Sequence, residues 1–477
     1  MYFRLRCHSI VTILAIVFST SSIYAQNGYK ISIQLEGLQD SLIFLANYNG
    51  DKQFIVDTAY LKKGSTYVFA DKKPLLPGMY FLTTSGKVKL FDFVIDKSME
   101  FTISGIKDKI PASLGVRNSP ENKVFFEYVN FLAGKQKEQA RLLQLKKKYP
   151  SGSDSLRITE TQVNGLNEEV KKYIADLIEA HQGSFVSSFL TSMKEPEIPP
   201  APVLADGKTD STFSYRYYKA HFWDNINLND DRLVRTPLLH TKVEQYLTRL
   251  TPPQPDSVIK AVDYLFNLAG DNIESFKYLM WYLTVKFESS EIMGYDAIFV
   301  HLVNKYYSDP KMSWMNKTVK ENLEKRAAVL QTILIGKPAP EMILYDTLQR
   351  PVSLYKVNAE YTLVYFWDPD CSHCKKETPL LKDFYTKNKD LLNLEVYAVC
   401  MDTSWKDMKN FIIKNQTSWI NVNGFYSITQ DFRDIYDVHS SPVMYLLDKN
   451  KMIVAKRVLT EQMSSILGIR TKKTIIK

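Results

Sequence analysis

The chain has 477 residues, 45% hydrophobic and 24% charged, with 25 Phe, 29 Tyr and a formal charge of +9. That composition excludes a disordered or fibrous chain, and at roughly 150 residues per domain it predicts about three folded domains. The basic excess is modest for the length, so nucleic acid is not implied as a partner.

At the amino terminus Arg4 and Arg6, with no acidic neighbour, precede the apolar run Ile10 to Phe18 and small polar residues up to Tyr24-Ala25-Gln26. This pattern predicts a secretory signal over residues 1–25, cleaved after Ala25, and hence an exported protein. The run is about half of the ~20 residues needed to cross a bilayer, so a permanent anchor is not expected, and membrane association is left open. Cys7 lies before the run, and no cysteine follows it where lipid attachment would need one. Cleavage takes the formal charge from +9 to +7.

Residues 26–115 predict an antiparallel β-sandwich of seven short strands. The runs are Ile31 to Leu35, Leu42 to Leu45, Phe54 to Tyr60, Thr66 to Phe69, Tyr80 to Thr84, Val88 to Ile95 and Met99 to Ile103, with Asn49-Gly50-Asp51 and Pro77-Gly78 as turn signals. Over residues 116–333 the period becomes helical. Val170, Tyr173, Ile174, Leu177 and Ile178 follow the i, i+3, i+4, i+7, i+8 spacing, and Gly183 marks a stop. The basic run Lys135, Lys137, Arg141, Lys146, Lys147 and Lys148 reads as a solvated helix face. Pro196, Pro199, Pro200 and Pro202 make Glu195 to Ser211 a long loop. Helical patterning returns at Thr241 to Leu250, Ser257 to Leu268, Ile273 to Phe287, Asp296 to Tyr307 and Asn316 to Leu330, completing an all-α middle domain.

Residues 334–477 mix the two periods. Thr362 to Trp367 predicts a buried strand and Cys374 to Asn388 a helix. Leu394 to Met401, Val443 to Leu447 and Ile453 to Ala455 predict strands, with helices at Trp405 to Asn415 and Glu461 to Leu467. Alternating strands and helices make an α/β sheet covered on both faces, so the whole chain is multidomain α+β.

Only Cys371, Cys374 and Cys400 survive signal removal, too few for a disulfide framework. Cys371-Ser372-His373-Cys374 lies between a predicted strand and a predicted helix, the context in which CxxC carries redox chemistry. Two sulfurs on the first helical turn can close a disulfide, and free N–H groups and the helix dipole favour a thiolate on the first. Cys371 is therefore the predicted nucleophile and Cys374 the resolving thiol. A zinc site would need two further ligands, and no second CxxC or paired histidines supply them. Asp368 and Asp370 should raise the Cys371 pKa, whereas His373, Lys375, Lys376 and the helix terminus should lower it. Cys400, in an apolar strand, reads as a core thiol. The remaining histidines His181, His221, His240, His301 and His439 form no metal-binding pattern, so no metal or organic cofactor is expected beyond the redox-active disulfide Cys371–Cys374.

The region from Gly336-Lys337-Pro338-Ala339-Pro340 through Asp346 to Leu354, Phe366-Trp367, the CxxC, Glu377-Thr378-Pro379 and Ser441-Pro442 resembles the TlpA- and ResA-like branch of the thioredoxin superfamily. The upstream sandwich and helical domains resemble, more loosely, modules that precede such a domain in exported proteins of Gram-negative bacteria. The resemblance implies a periplasmic thiol–disulfide oxidoreductase acting on client proteins, with a membrane-embedded thiol reductase as electron donor. It implies that Glu377 is the acid/base group for the cysteines, with Tyr365 standing where thioredoxins keep a buried aspartate. It also implies that Pro442 is a cis proline facing the pair. Ser441, Pro442, Trp367 and His373 are then expected on the substrate side, with Ser441 backbone groups pairing with the client strand. The upstream domains would choose partners or form a homo-oligomer. Two other readings are a binding or assembly protein with an accessory redox domain, and a thiol peroxidase. Against the latter, neither Cys371 nor Cys374 has Thr or Ser three residues before it or Pro seven before.

Overall fold

The computed structural model describes residues 28–62 and 64–469. The predicted signal over residues 1–25 lies outside them. The described chain forms two compact units, one of residues up to 47 with 53–188 and the other of 48–52 with 189 onward.

Eight strands open the chain: β1 (Tyr29–Glu36), β2 (Leu42–Asn49), β3 (Lys52–Tyr60), β4 (Thr66–Asp71), β5 (Gly78–Thr84), β6 (Lys89–Ile95), β7 (Glu100–Ile106) and β8 (Gly115–Arg117). They build two four-stranded sheets, ordered β4-β1-β7-β8 and β3-β2-β5-β6. Alternation explains the inward face: Ile31, Ile33 and Leu35 of β1 are fully buried, with polar residues between them. β1 pairs antiparallel with β4 but parallel with β7. One parallel pair therefore interrupts the predicted antiparallel pattern, because the chain between β1 and β7 is long enough to cross over and return in the same direction. β8 is three residues long, too short to show a period.

Helix α1 (Pro120–Lys148) begins at the N-cap Ser119, and α2 (Asp154–Ala180) at the N-cap Ser153. Asn122 anchors α1 to β6, accepting from Val94 N–H and donating to Val94 O, both at 2.8 Å. The basic run on α1 meets acids of α2, with Lys135–Glu169 at 2.7 Å and Lys146–Glu160 at 2.8 Å.

After α3 (Phe185–Ser192), residues 193–212 contain only an isolated bridge between Val203 and Thr209. Then follow α4 (Phe213–His221), α5 (Pro237–Arg249), α6 (Pro255–Ala269), α7 (Ile273–Glu288), α8 (Asp296–Tyr306) and α9 (Lys317–Thr332). On α6 the buried stripe Val258, Val262, Leu265 and Ala269 has the spacing of one helix face.

The last region contains β9 (Ile343–Asp346), β10 (Pro351–Ser353), β11 (Tyr361–Trp367), α10 (Ser372–Leu392), β12 (Leu394–Cys400), α11 (Trp405–Asn415), β13 (Ile420–Ser427), α12 (Phe432–Tyr436), β14 (Val443–Asp448), β15 (Ile453–Lys456) and α13 (Thr460–Ile466). The sheet order is β10-β9-β13-β12-β11-β14-β15. β11 is central and buried on both faces: Trp367 stacks on Phe411 on one side, and Phe366 on Phe432 on the other. β11, β12 and β13 run parallel, so their carboxyl ends share one edge. That edge is where open α/β sheets place their sites. Among the described residues no helix is long and apolar enough to cross a membrane.

Candidate active site

The carboxyl end of β11 is held to β12 by Met401 N–H donating to Trp367 O at 2.7 Å. A turn follows, in which Asp370 N–H donates to Asp368 Oδ1 at 2.8 Å and Cys371 N–H to Asp368 O at 3.3 Å. The turn delivers Cys371 to the N-cap of α10 in extended conformation, φ −66° and ψ 122°. There its sulfur accepts from Cys374 N–H at 3.3 Å, the bond an N-cap side chain makes. From the other side its thiol donates to Ser441 O at 3.3 Å, and the Ser441–Pro442 bond is cis. The loop before β14 thus brings Ser441 and Pro442 to the cysteine pair across 70 residues of sequence.

The buried face of α10 reads Cys374, Glu377, Thr378, Leu381, Phe384 and Tyr385, a helical stripe that carries the second cysteine into the core. Pro379 also lies within α10 and leaves the Lys375 carbonyl without its usual i+4 donor.

Cys371, Cys374 and Cys400 are free thiols with different environments. Partial burial pushes the Cys371 thiol up. Hydrogen bonds from Cys374 N–H, the Cys374 side chain, the Ser441 side chain and the His373 backbone outweigh it, and the pKa is lowered. Burial pushes Cys374 up to about 12, and Cys400 likewise to about 12. The rise expected at Cys371 from Asp368 and Asp370 does not prevail: Asp370 has a side chain 91% exposed and lies 3.8 Å from Lys375, so water and a cation screen it. Iodoacetamide at neutral pH should therefore alkylate Cys371 before Cys374 and Cys400 in the reduced native protein. Cys374 and Cys400 should join it only on unfolding, as mapped by peptide mass spectrometry.

Glu377 is 9% exposed, and its Oε1 accepts from Thr460 N–H, the first amide of α13, at 2.7 Å. Its Oε2 takes no hydrogen bond among the described residues. Tyr365, fully buried beneath the pair, shares a 2.8 Å hydrogen bond with Thr378 Oγ1, and burial raises its phenol pKa. Trp367 was expected on the substrate side, but it is 2% exposed and stacked on Phe411 with centroids 4.4 Å apart. It is core, because alternation along β11 turns it into the sheet face beneath α11. His373 is exposed beside Cys371, and Ser441 and Pro442 are half-buried.

Residues 358–453 match the family described as thioredoxin-like, and residues 160–331 match a domain of unknown function, DUF5106. The thiol–disulfide oxidoreductase ResA of Bacillus cereus is 26% identical over 143 residues, which are 30% of this chain and 74% of that protein. A domain of a possible thiol–disulfide isomerase from Cytophaga hutchinsonii is 38% identical, covering 28% of this chain and 91% of its own, with a TM-score of 0.27. A thioredoxin-like protein from Bacteroides caccae is 18% identical, covering 58% of this chain and 100% of its own, with a TM-score of 0.46. With a CxxC pair at the helix start after the central strand and a matching family over 358–453, the carboxy-terminal domain of this chain belongs to the thioredoxin-like thiol–disulfide oxidoreductases.

Proposed function

We propose that the protein is an extracytoplasmic thiol–disulfide oxidoreductase that exchanges disulfides with client proteins through Cys371 and Cys374. The observation that carries this reading is the opposition of the two thiols: one half-exposed with a lowered pKa, the other buried and pushed up to about 12. A lowered pKa raises the fraction of attacking thiolate, and a buried thiol stays protonated until its turn. The Cys371 thiolate attacks one sulfur of a client disulfide, and the other client sulfur leaves and takes a proton. Cys374 then loses its proton and attacks Cys371 Sγ, closing the Cys371–Cys374 disulfide and releasing the client as a dithiol. Two electrons pass to the client, so a donor must restore the dithiol. A membrane-embedded thiol reductase fits an exported protein, whose compartment supplies no reducing pool.

Glu377 is one turn beyond Cys374 on the same buried stripe, with Oε2 open to a proton or a water. It is the proposed acceptor of the Cys374 proton. Glu377→Gln keeps the shape and the bond to Thr460. It should slow release of the mixed disulfide by roughly 10²-fold while leaving Cys371 alkylation unchanged. A lowered melting temperature with normal release would instead confine Glu377 to holding the start of α13. Ser441 and Pro442, with His373 beside them, form the proposed client side.

Equilibration with glutathione tests the direction of electron flow. A potential near about −270 mV would make the protein a reductase, and one near about −120 mV a disulfide donor. Failure of the reduced protein to exchange with any protein or peptide disulfide would end the proposal. Export is tested by fractionation, which should find the chain shortened at Ala25 outside the cytoplasm.

A further inference from the structure

We infer that Arg326, on α9 of the helical region, is a positioning residue for the exchange site, acting through Asp437. Asp437 ends α12 at φ 50° and stands four residues before Ser441, the residue whose carbonyl accepts from the Cys371 thiol. Its side chain is 5% exposed, so a carboxylate there needs cations around it. Arg326 Nη2 approaches Oδ2 at 3.4 Å and Arg457 Nη2 at 2.8 Å, while His439 Nε2 lies 3.7 Å from Oδ1. Arg326 is in turn ion-paired with Glu288 of α7.

The neighbouring residues are tied as firmly. Tyr436 donates its hydroxyl to Pro340 O at 2.5 Å and accepts from Tyr445 OH at 2.8 Å through its carbonyl. Arg457 donates its N–H to Met444 O at 2.8 Å, just beyond Pro442. Between the anchor at Asp437 and the strand β14 only Val438 is buried, and His439 and Ser440 are exposed. The placement of Ser441 against Cys371 thus depends on the two ends of a short span. One of those ends is held from α9.

Arg326 touches neither thiol, and the larger causes that lower the Cys371 pKa are its bonds with Cys374, which α10 holds, so its loss should leave Cys371 largely reactive and misplace the client-facing backbone. This rests on the reading that Ser441 pairs with the client strand. The test uses the full chain as Arg326→Ala, Arg326→Lys and Asp437→Asn, measuring KM and kcat for reduction of a disulfide-containing peptide, Cys371 alkylation by iodoacetamide, and the melting temperature. Arg326→Ala and Asp437→Asn should raise KM by about five-fold, within the range of couplings carried by contiguous networks, with kcat and alkylation within about two-fold of wild type. Arg326→Lys, which restores the charge, should recover part of the KM.

An unchanged KM in Arg326→Ala overturns the inference. So does a joint fall of kcat, alkylation and melting temperature that lysine does not rescue, which would mark a structural residue only. A wild-type chain that exchanges with no disulfide would take down both this inference and the proposed function. A wild type that exchanges, matched by Arg326→Ala, takes down the inference alone.

Discussion

Cys371→Ser should lower disulfide exchange by roughly 10³-fold or more, because it removes the one thiol among the described residues that combines access with a lowered pKa. Cys374→Ser should behave differently. Its attacking thiol is intact, so the first step proceeds and the mixed disulfide with the client accumulates, visible as a mass increase on a non-reducing gel. Equal rates for Cys371→Ser and wild type would falsify the assignment of the nucleophile. The pH dependence follows from the same two shifts. The first-step rate should rise with thiolate fraction and level off below the ordinary thiol value of 9.0. Cys374 has the opposite sign: its pKa is raised in the fold. Its contribution to stability is complete below pH 9.0 and is lost as pH rises toward about 12. Urea midpoints for the reduced protein across that interval should fall more steeply in wild type than in Cys374→Ala.

Lys456→Ala should cost about 3–5 kcal/mol of stability, read as a lower urea midpoint. Lys456 is 3% exposed at the end of β15. Its Nζ is ion-paired with Asp296 of α8 and donates to Ile333 O at 2.8 Å. Burial lowers its pKa, against the pull of the Asp296 charge, so holding this ammonium in the interior is itself costly. Truncation leaves a half-buried carboxylate and a carbonyl without a partner, which is worse than the ion pair. Replacing both, as Lys456→Met with Asp296→Leu, should recover most of the loss, because neither charge then needs compensation. A loss below about 1 kcal/mol in Lys456→Ala would show that water reaches the pair and screens it.

Local pattern carried much of the carboxy-terminal region. The predicted helix at Trp405 to Asn415 has the observed bounds, because Ser404 caps it and Phe411 and Met408 face inward. The helix that carries Cys374 begins at Ser372, two residues before the predicted start. The apolar period starts at Cys374, whereas the true boundary is set by the capping sulfur of Cys371. β13 was not legible. Asn421, Asn423 and Gly424 break its apolar run, and Asn423 is tolerated in the core because its amide donates to Asp402 O at 2.9 Å and its Oδ1 accepts from Phe425 N–H at 3.0 Å. The amino-terminal sheets were legible as alternation, but the parallel partnership of β1 with β7 was not, since strand pairing is not a local property.

What the sequence determined by itself was the candidate site: two cysteines at CxxC spacing between a strand and a helix, with a dipole and free amides to favour a thiolate. Tertiary structure decided everything that depends on distant neighbours. It lowered Cys371 despite Asp368 and Asp370, because the bonds from Cys374 act at contact distance while Asp370 stands in water. It turned Trp367 into core and gave Glu377 a partner at Thr460, 83 residues away. It also set Arg326 against Asp437, 111 residues apart. Periodicity sees only neighbours within a turn or a strand, and these contacts form when separate elements close on one another.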